Sequence, residues 1–300
     1  VQIQWTEGDP PTLAATLQQD LADGGCAAVI CNTVSRAQEV YLALQQARIV
    51  PRQDLTLFHA RFPFYQRDRL ERRVVERFGK NGRRPQKAVV VATQLIEQSL
   101  DLDFDLMVTD LAPIDLLLQR TGRMHRHERP RRPTLLGTPR LRITRPPLVN
   151  GVPDLGADAW IYDRYILLRS YLALQNTPAV RIPEDVSGLI ESVYSAEDQV
   201  LSGLPEAMCR ALETSREGWH QKTEQAEGQA QVRLVAAPDD QDGILASFTS
   251  EFEEDRPDVH RTLQAMTRLA EPTVSLVCLY ATARGPALDP QGRQVVDLQA

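Results

Sequence analysis

The chain has 300 residues, 42% hydrophobic and 25% charged, a length that favours two domains, each able to bury its own core. Its apolar residues come in short periodic segments and no run approaches the roughly 20 needed to cross a bilayer, so a membrane protein is excluded as an expectation. The net charge of −6 argues against a uniformly phosphate-binding surface, although its distribution along the chain matters more than its sum.

The opening VQIQW has neither a basic region nor a long apolar one, so no signal peptide is read, and a start without Met is taken as a processed chain or a fragment. From residue 26 short apolar runs alternate with amphipathic stretches: CAAVIC, then Ser35 to Arg48, DLTLFH, then Tyr65 to Phe78, KAVVVAT, then DLMVTDLA, then Ile114 to Met124. Runs of this length read as buried strands, and the stretches between them repeat apolar positions at helical spacing, as in Leu70, Val74, Val75 and Phe78. Strand and helix in alternation predict parallel strands joined by crossover helices, an open α/β sheet, over about residues 1–150.

From Pro130 to Gly156 repeated prolines remove backbone donors, and this stretch is expected to be a linker or a long wrapping loop. Residues 151–205 are assigned to a linker that carries a long helix, Ala159 to Leu174, and a second helix from Pro183 to Val193. Residues 206–300 are expected to form a smaller, mainly helical C-terminal domain, with a polar helix over 206–231 and a strand at Val274 to Tyr280. Cys26, Cys31, Cys209 and Cys278 form no C-x-x-C pair, which argues for reduced thiols in a cytoplasm and against a zinc ribbon or a disulfide framework.

Charge is unevenly placed. Between Arg61 and Lys87 ten basic residues face only Asp68, Glu71 and Glu76, and between Arg120 and Arg145 nine arginines face only Glu128. Acid gathers at Asp239 to Asp242 and Glu251 to Asp255, read as solvated loops. A basic first half is compatible with a surface that tracks phosphates.

The sharpest motif is Gln119-Arg120-Thr121-Gly122-Arg123-Met124-His125-Arg126, a Q-R-x-G-R-x-x-R string after the apolar run DLLL. On a continuous helix Gln119, Arg123 and Arg126 would share one face. Guanidinium groups stay charged and present a planar fork to phosphate oxygens, which is what a transferring phosphoryl group requires. His125 and His127 lack a third ligand nearby, so no metal site is expected there. Trp219 and His220 are read as a packing anchor, and Glu97 as a structural partner for a nearby arginine.

Upstream, Val91 to Asp101 (VATQLIEQSLD) fits the A-T-x-x-x-E-x-x-L-D segment that precedes the arginine motif in superfamily 2 helicases. Ile30 to Ala37 (ICNTVSRA) and His59-Ala60-Arg61-Phe62 resemble further motifs of the second motor domain, in the same order. The resemblance implies a RecA-like parallel sheet flanked by helices. It implies that Arg123 and Arg126 are arginine fingers, that Gln119 lies against the γ-phosphate and attacking water, and that Asp101 sits near the ribose or the domain interface. Thr93, Asn32, Thr33 and Arg61 match positions that hold the sugar-phosphate backbone of a single strand. The implied cofactor is ATP with Mg²⁺.

The variants of these motifs, together with IPEDVSGLIESVY and TRLAEPTVSLVCL, resemble the CRISPR-associated helicase-nuclease of type I systems. That family carries an HD nuclease with a divalent transition metal, two RecA-like domains, a linker and a C-terminal domain, and is recruited by the Cascade surveillance complex with its guide RNA and target DNA. No G-x-x-x-x-G-K-[ST] string, D-E-x-H string or HD metal cluster occurs here, so this chain alone is expected to hydrolyse no ATP and cut no DNA. Two alternatives stay open at this point: another superfamily 2 member acting on RNA or in DNA repair, or an adaptor region that docks onto a surveillance complex.

Overall fold

A computed structural model describes residues 1–97, 100–129, 131–195, 203–231, 279–283, 285–288, 291 and 293–296. Two compact units are present, Val1–Glu217 and Gly218–Ala300. The first is built on a six-stranded parallel sheet with strands β1 (Gln2–Thr6), β2 (Gly25–Ile30), β3 (Leu55–Phe58), β4 (Lys87–Ala92), β5 (Leu106–Thr109) and β6 (Arg140–Thr144) in the order β1-β6-β5-β2-β4-β3. The expected parallel α/β sheet flanked by helices is therefore observed.

Helices α1 (Pro10–Asp20), α2 (Val34–Ala47), α3 (Phe64–Phe78) and α4 (Ile114–Thr121) connect these strands. Successive strand residues point to opposite faces. Ala27, Val29, Val89, Val91, Leu106 and Val108 pack with Leu13 and Leu17 of α1 and Val40 and Leu44 of α2. Residues of the other face, such as Ala28, Ile30, Val90 and Met107, are equally buried. Right-handed crossover places α3, on the return from β3 to β4, opposite α2.

Local chemistry sets the helix starts. Asp9 caps α1 by accepting the Thr12 amide at 2.9 Å, ahead of two prolines, and Thr33 caps α2 by accepting the Arg36 amide at 3.2 Å. α3 and α4 begin instead after Pro63 and Pro113.

The stretch 130–156 departs from the linker expectation, because β6 lies inside it and joins β1 to β5. Leu141 and Ile143 of β6 are buried in the core, while Arg140 and Arg142, two residues apart, share the other face. Both arginines reach Asp20 at the end of α1, Arg140 at 3.0 Å and Arg142 at 2.7 Å. This carboxylate lets an arginine-bearing strand sit in the sheet. Beyond β6 the Asn150-Gly151 pair, with φ of 52° and 80°, turns a short hairpin of β7 (Leu148–Val149) and β8 (Val152–Pro153).

The helix expected over Ala159 to Leu174 is two helices, α5 (Asp158–Ile161) and α6 (Arg164–Leu174). Asp163 interrupts them, because its carboxylate accepts the Tyr165 amide at 2.9 Å and opens a new helix. α7 (Val186–Tyr194) and α8 (Glu206–Gln231) follow, and α6 packs with α4 and α7 inside the first unit. In the second unit a hairpin is formed by β9 (Tyr280–Thr282) and β10 (Gly285–Ala287). The expected strand residues 274–278 and the acidic stretches 239–242 and 251–255 lie outside the described residues, as does Cys278. Among the described residues, no helix is long and apolar enough to cross a membrane.

Candidate functional site

The carboxyl ends of the parallel strands carry the motif residues, which is where open α/β sheets bind their ligands. Asn32 and Thr33 follow β2, Thr93 follows β4, and His59 and Arg61 follow β3, so they lie along one edge in the order β2, β4, β3. The Thr93 amide donates to the Phe58 carbonyl at 3.2 Å, which ties the ends of β4 and β3 together.

Not all of these side chains reach solvent. Arg61 is exposed and Thr33 is partly buried, but Asn32 is 2% and Thr93 4% exposed. The Asn32 amide donates to the Leu111 carbonyl at 2.7 Å, its backbone N–H donates to Asp110 at 3.0 Å, and its carbonyl accepts from Gln94 at 2.9 Å. The side chain of Asn32 is thus turned inward, where it braces the loop that carries Thr33.

The arginine motif is arranged differently from a continuous helix. α4 stops at Thr121, whose hydroxyl donates to the Leu118 carbonyl at 2.6 Å, and Gly122 forms the cap. Of Gln119, Arg123 and Arg126, Gln119 alone, exposed on the last turn, is helical. Arg123 to His125 instead run beside Phe104: the Phe104 amide donates to the Arg123 carbonyl at 2.9 Å and the His125 amide donates to the Phe104 carbonyl at 3.1 Å. His125 has a φ of 47°, and the Arg126 amide then donates to Asp103 at 3.0 Å. Pairing to residues 103 and 104, not helical pitch, positions Arg123 and Arg126.

Arg123 is half-buried and donates to the Glu97 carbonyl at 3.0 Å. Burial first, and then the positive charge of Arg126, hold its pKa below the ordinary arginine value. Arg126 is 42% exposed and pairs at 2.7 Å with Asp101, itself 50% exposed. His127 lies 3.1 Å from the same carboxylate, while His125 faces the Asp105 carbonyl at 3.3 Å. The structure therefore brings Asp101, Arg123 and Arg126 to one surface.

The arginine that is sealed inside is Arg120, with 0% exposure. Its Nε donates to Glu97 at 2.7 Å, one terminal nitrogen bonds the Thr109 hydroxyl, and the other lies 3.5 Å from the Tyr162 hydroxyl. Tyr162 also accepts from Gln94 at 3.1 Å, so one network joins the ends of β2 and β4 to α4. Glu97 is the arginine partner expected. Arg120 and Tyr162 were not singled out from sequence, although Arg120 lies three residues after the buried Leu117 and so on the same inward face.

Much of the basic charge read along the chain is neutralised within the fold. Arg84, Arg129 and Arg132 surround Asp103, which is 0% exposed, and Arg84 and Arg132 also bind Asp105. Burial opposes ionisation of Asp103, yet hydrogen bonds from Arg129 and Arg132 carry its pKa below the ordinary aspartate value. Arg36 closes on Asp110 at 2.8 Å.

Between the β2 and β5 ends, where the chain's direction of winding reverses, lies a cavity of about 800 Å³. Six carboxylate residues line it, against Arg36 and Arg145. One of them, Asp158, is pushed up to about 6 by burial and then by the neighbouring Asp110. So acidic a cavity does not suit phosphate, which leaves the β4 and β3 side of the edge as the basic one.

Residues 23–129 match the family described as CRISPR-associated nuclease/helicase Cas3, C-terminal. A CRISPR-associated endonuclease/helicase Cas3 of Thermus thermophilus is 33% identical over 341 residues, covering 98% of this chain and 36% of that protein. The crystal structure of T. fusca Cas3-AMPPNP superposes with a TM-score of 0.78 at 34% identity, covering 98% of this chain and 32% of that one. A structure titled CRISPR RNA-guided surveillance complex, pre-nicking, superposes with a TM-score of 0.72 at 32% identity, covering 99% of this chain and 34% of that one. The chain spans about a third of the length of the relatives it matches. Matched in sequence and in its RecA-like sheet to Cas3 across most of its length, the chain belongs to the Cas3 family and corresponds to its C-terminal region.

Proposed function

We propose that this chain is one motor lobe of an ATP-dependent DNA helicase-nuclease of CRISPR interference. In the complete protein Arg123 and Arg126 close onto the γ-phosphate of ATP held by a neighbouring lobe. The carboxyl edge of the sheet, at Thr33, Thr93 and Arg61, holds the sugar-phosphate backbone of a single DNA strand. Asn32 braces that edge from beneath.

The observation that carries this reading is the placement of two like charges, Arg123 and Arg126, on one surface with only weak claims on them. A carbonyl holds Arg123, and an exposed carboxylate holds Arg126. An exposed ion pair contributes about 0–1 kcal/mol, so exchanging Asp101 for a phosphate oxygen costs little. An anion between the two guanidinium groups would also relieve their mutual repulsion.

The residues present fit the γ-phosphate end of a nucleotide: two arginines that cannot deprotonate, with Gln119 on the adjoining turn and Asp101 beside them. ATP with its Mg²⁺ would supply the phosphoryl group and the metal that neutralises it, and the ligands of that metal belong mainly to the neighbouring lobe. Arg123 and Arg126 then offset charge on the phosphoryl oxygens. Release of these contacts after hydrolysis lets the lobes part and the strand advance. Backbone contacts carry no sequence information, which suits a motor that steps along any strand.

The relatives' names pair helicase with nuclease, which supports a nuclease activity in the complete protein, and one neighbour is an RNA-guided surveillance complex, which supports association with such a complex; an HD nuclease lobe with a divalent transition metal and recruitment by Cascade with its guide RNA and target DNA extend that reading. Alone, this chain is expected to hydrolyse no ATP. In the complete protein Arg123→Ala should abolish ATP-driven unwinding while single-strand binding persists. Wild-type unwinding by that variant would remove the finger assignment.

A further inference from the structure

We propose that Phe64 and Tyr65, at the start of α3, form a base-stacking platform for single-stranded DNA at the β3 end of the sheet's carboxyl edge. The proposal rests on the reading that a strand lies along this edge, and adds that its bases, not only its phosphates, are held.

Phe64 is 74% and Tyr65 53% exposed, although both stand on the first turn of a helix whose later residues Val74 and Phe78 are fully buried. Exposed aromatics beside positive charge are the composition of single-strand binding surfaces. The charge is present. The Arg67 guanidinium lies over the Phe64 ring at 5.5 Å, and Arg61 is exposed three residues earlier. Residues 61–73 contain five arginines against Asp68 and Glu71.

The helix turn beneath the platform is anchored. Phe62 stacks on His59 with ring centres 4.2 Å apart and planes 11° from parallel, and His59 is 4% exposed. Pro63 then fixes the chain where α3 begins. The far end of α3 is anchored by Arg73 and Arg77, which donate to the Gln53 carbonyl at 2.6 and 2.8 Å. These contacts anchor the backbone that carries both rings, so the strand meets a helix turn already in place. Being one residue apart on a helix, the rings point about 100° apart, and so serve neighbouring bases.

Position supplies the occupant. His59 directly follows β3, and the tie between Thr93 and Phe58 makes the β4 and β3 ends continuous. Toward β5 and β6 the edge opens into the acidic cavity, which repels phosphate. A strand held at the β4 and β3 ends, beside Thr93 and Arg61, is therefore directed onto Phe64.

The test uses the complete protein and two fluorescent probes: an oligothymidylate, and an abasic chain of equal length that has phosphates but no bases. Phe64→Ala, and Phe64→Ala with Tyr65→Ala, should weaken oligothymidylate binding roughly 5- to 150-fold, the equivalent of about 1–3 kcal/mol of stacking. Binding of the abasic chain should be unchanged, and Phe64→Trp should retain oligothymidylate binding. Arg61→Gln should weaken both probes alike. Unchanged oligothymidylate binding by the alanine variants, with Arg61→Gln still weakening it, would overturn the platform and leave the strand reading intact. If Arg61→Gln has no effect either, the strand reading falls as well. Equal losses on both probes would overturn stacking, as would loss of association with the RNA-guided complex without loss of strand binding, which would make this a protein contact. Unchanged thermal unfolding of the alanine variants separates lost stacking from lost fold.

Discussion

Replacing Arg120 with Met tests the network beneath the finger surface. The guanidinium is wholly buried and binds Glu97, the Thr109 hydroxyl and, more loosely, the Asp110 carbonyl and Tyr162. Methionine fills most of the volume but bonds none of these. Thr109 keeps its hydrogen bond to the Asp110 carbonyl at 2.8 Å, and Tyr162 keeps Gln94 at 3.1 Å. The group left stranded is Glu97, whose side chain is only 11% exposed. Breaking a buried pair from one side costs about 3–5 kcal/mol, chiefly through the uncompensated charge that remains. Replacing both partners with apolar residues removes that charge, so Arg120→Met with Glu97→Met should lie within about 1–2 kcal/mol of the parent. Urea unfolding of the four proteins of this double-mutant cycle reads the coupling directly. A single-variant cost below about 1 kcal/mol, or losses that simply add, would refute the claim that this ion pair organises the region.

The acidic cavity makes a pH-dependent prediction. Asp158 has a folded pKa of about 6, above its ordinary value of 3.8, so the folded state holds that proton longer than the unfolded chain does. Its contribution is full below about pH 4, is lost as pH rises to about 6, and is flat above. Asp158→Asn removes the charged form. Relative to the parent it should stabilise the chain at pH 8, by at most about 3 kcal/mol and nearer 1–2 after solvent screening, and do nothing at pH 4. Thermal unfolding at the two pH values checks this, and an equal effect at both would contradict it. Asp20→Ala leaves Arg140 and Arg142 on β6 without their carboxylate and should cost about 3 kcal/mol. Hydrogen exchange at β1 and β6 should rise before exchange at β2 and β4, and uniform loss of protection across the sheet would oppose the assignment.

The centre of the sheet was legible in the sequence because β2, β4 and β5 are buried on both faces and read as unbroken apolar runs. β1 and β6 were not. Each mixes polar residues into its pattern, and Arg140 and Arg142 are tolerated in β6 only because Asp20, remote in sequence, meets them. The same remoteness misled the reading of charge: Asp103, Asp105 and Asp110 gather arginines from distant segments, so a local tally overstates the positive surface. Motif order pointed to Arg123, Arg126 and Asp101, which the fold brings to one surface, but the helical spacing expected of Gln119, Arg123 and Arg126 ignored Gly122, a common helix stop. Asn32 shows a further limit. A polar residue in a motif can serve the loop itself, and the hydrogen bond from Asn32 to the Leu111 carbonyl is seen only in the fold.

The central claim is that two arginines of this lobe act on a phosphoryl group held elsewhere, and single-turnover ATP hydrolysis by the complete protein with saturating single-stranded DNA measures it most directly. Arg123→Ala and Arg126→Ala should each slow the step by about 10³ or more, with affinity for ATP and for the strand within a few-fold of the parent. Hydrolysis at the parent rate in both variants would contradict it.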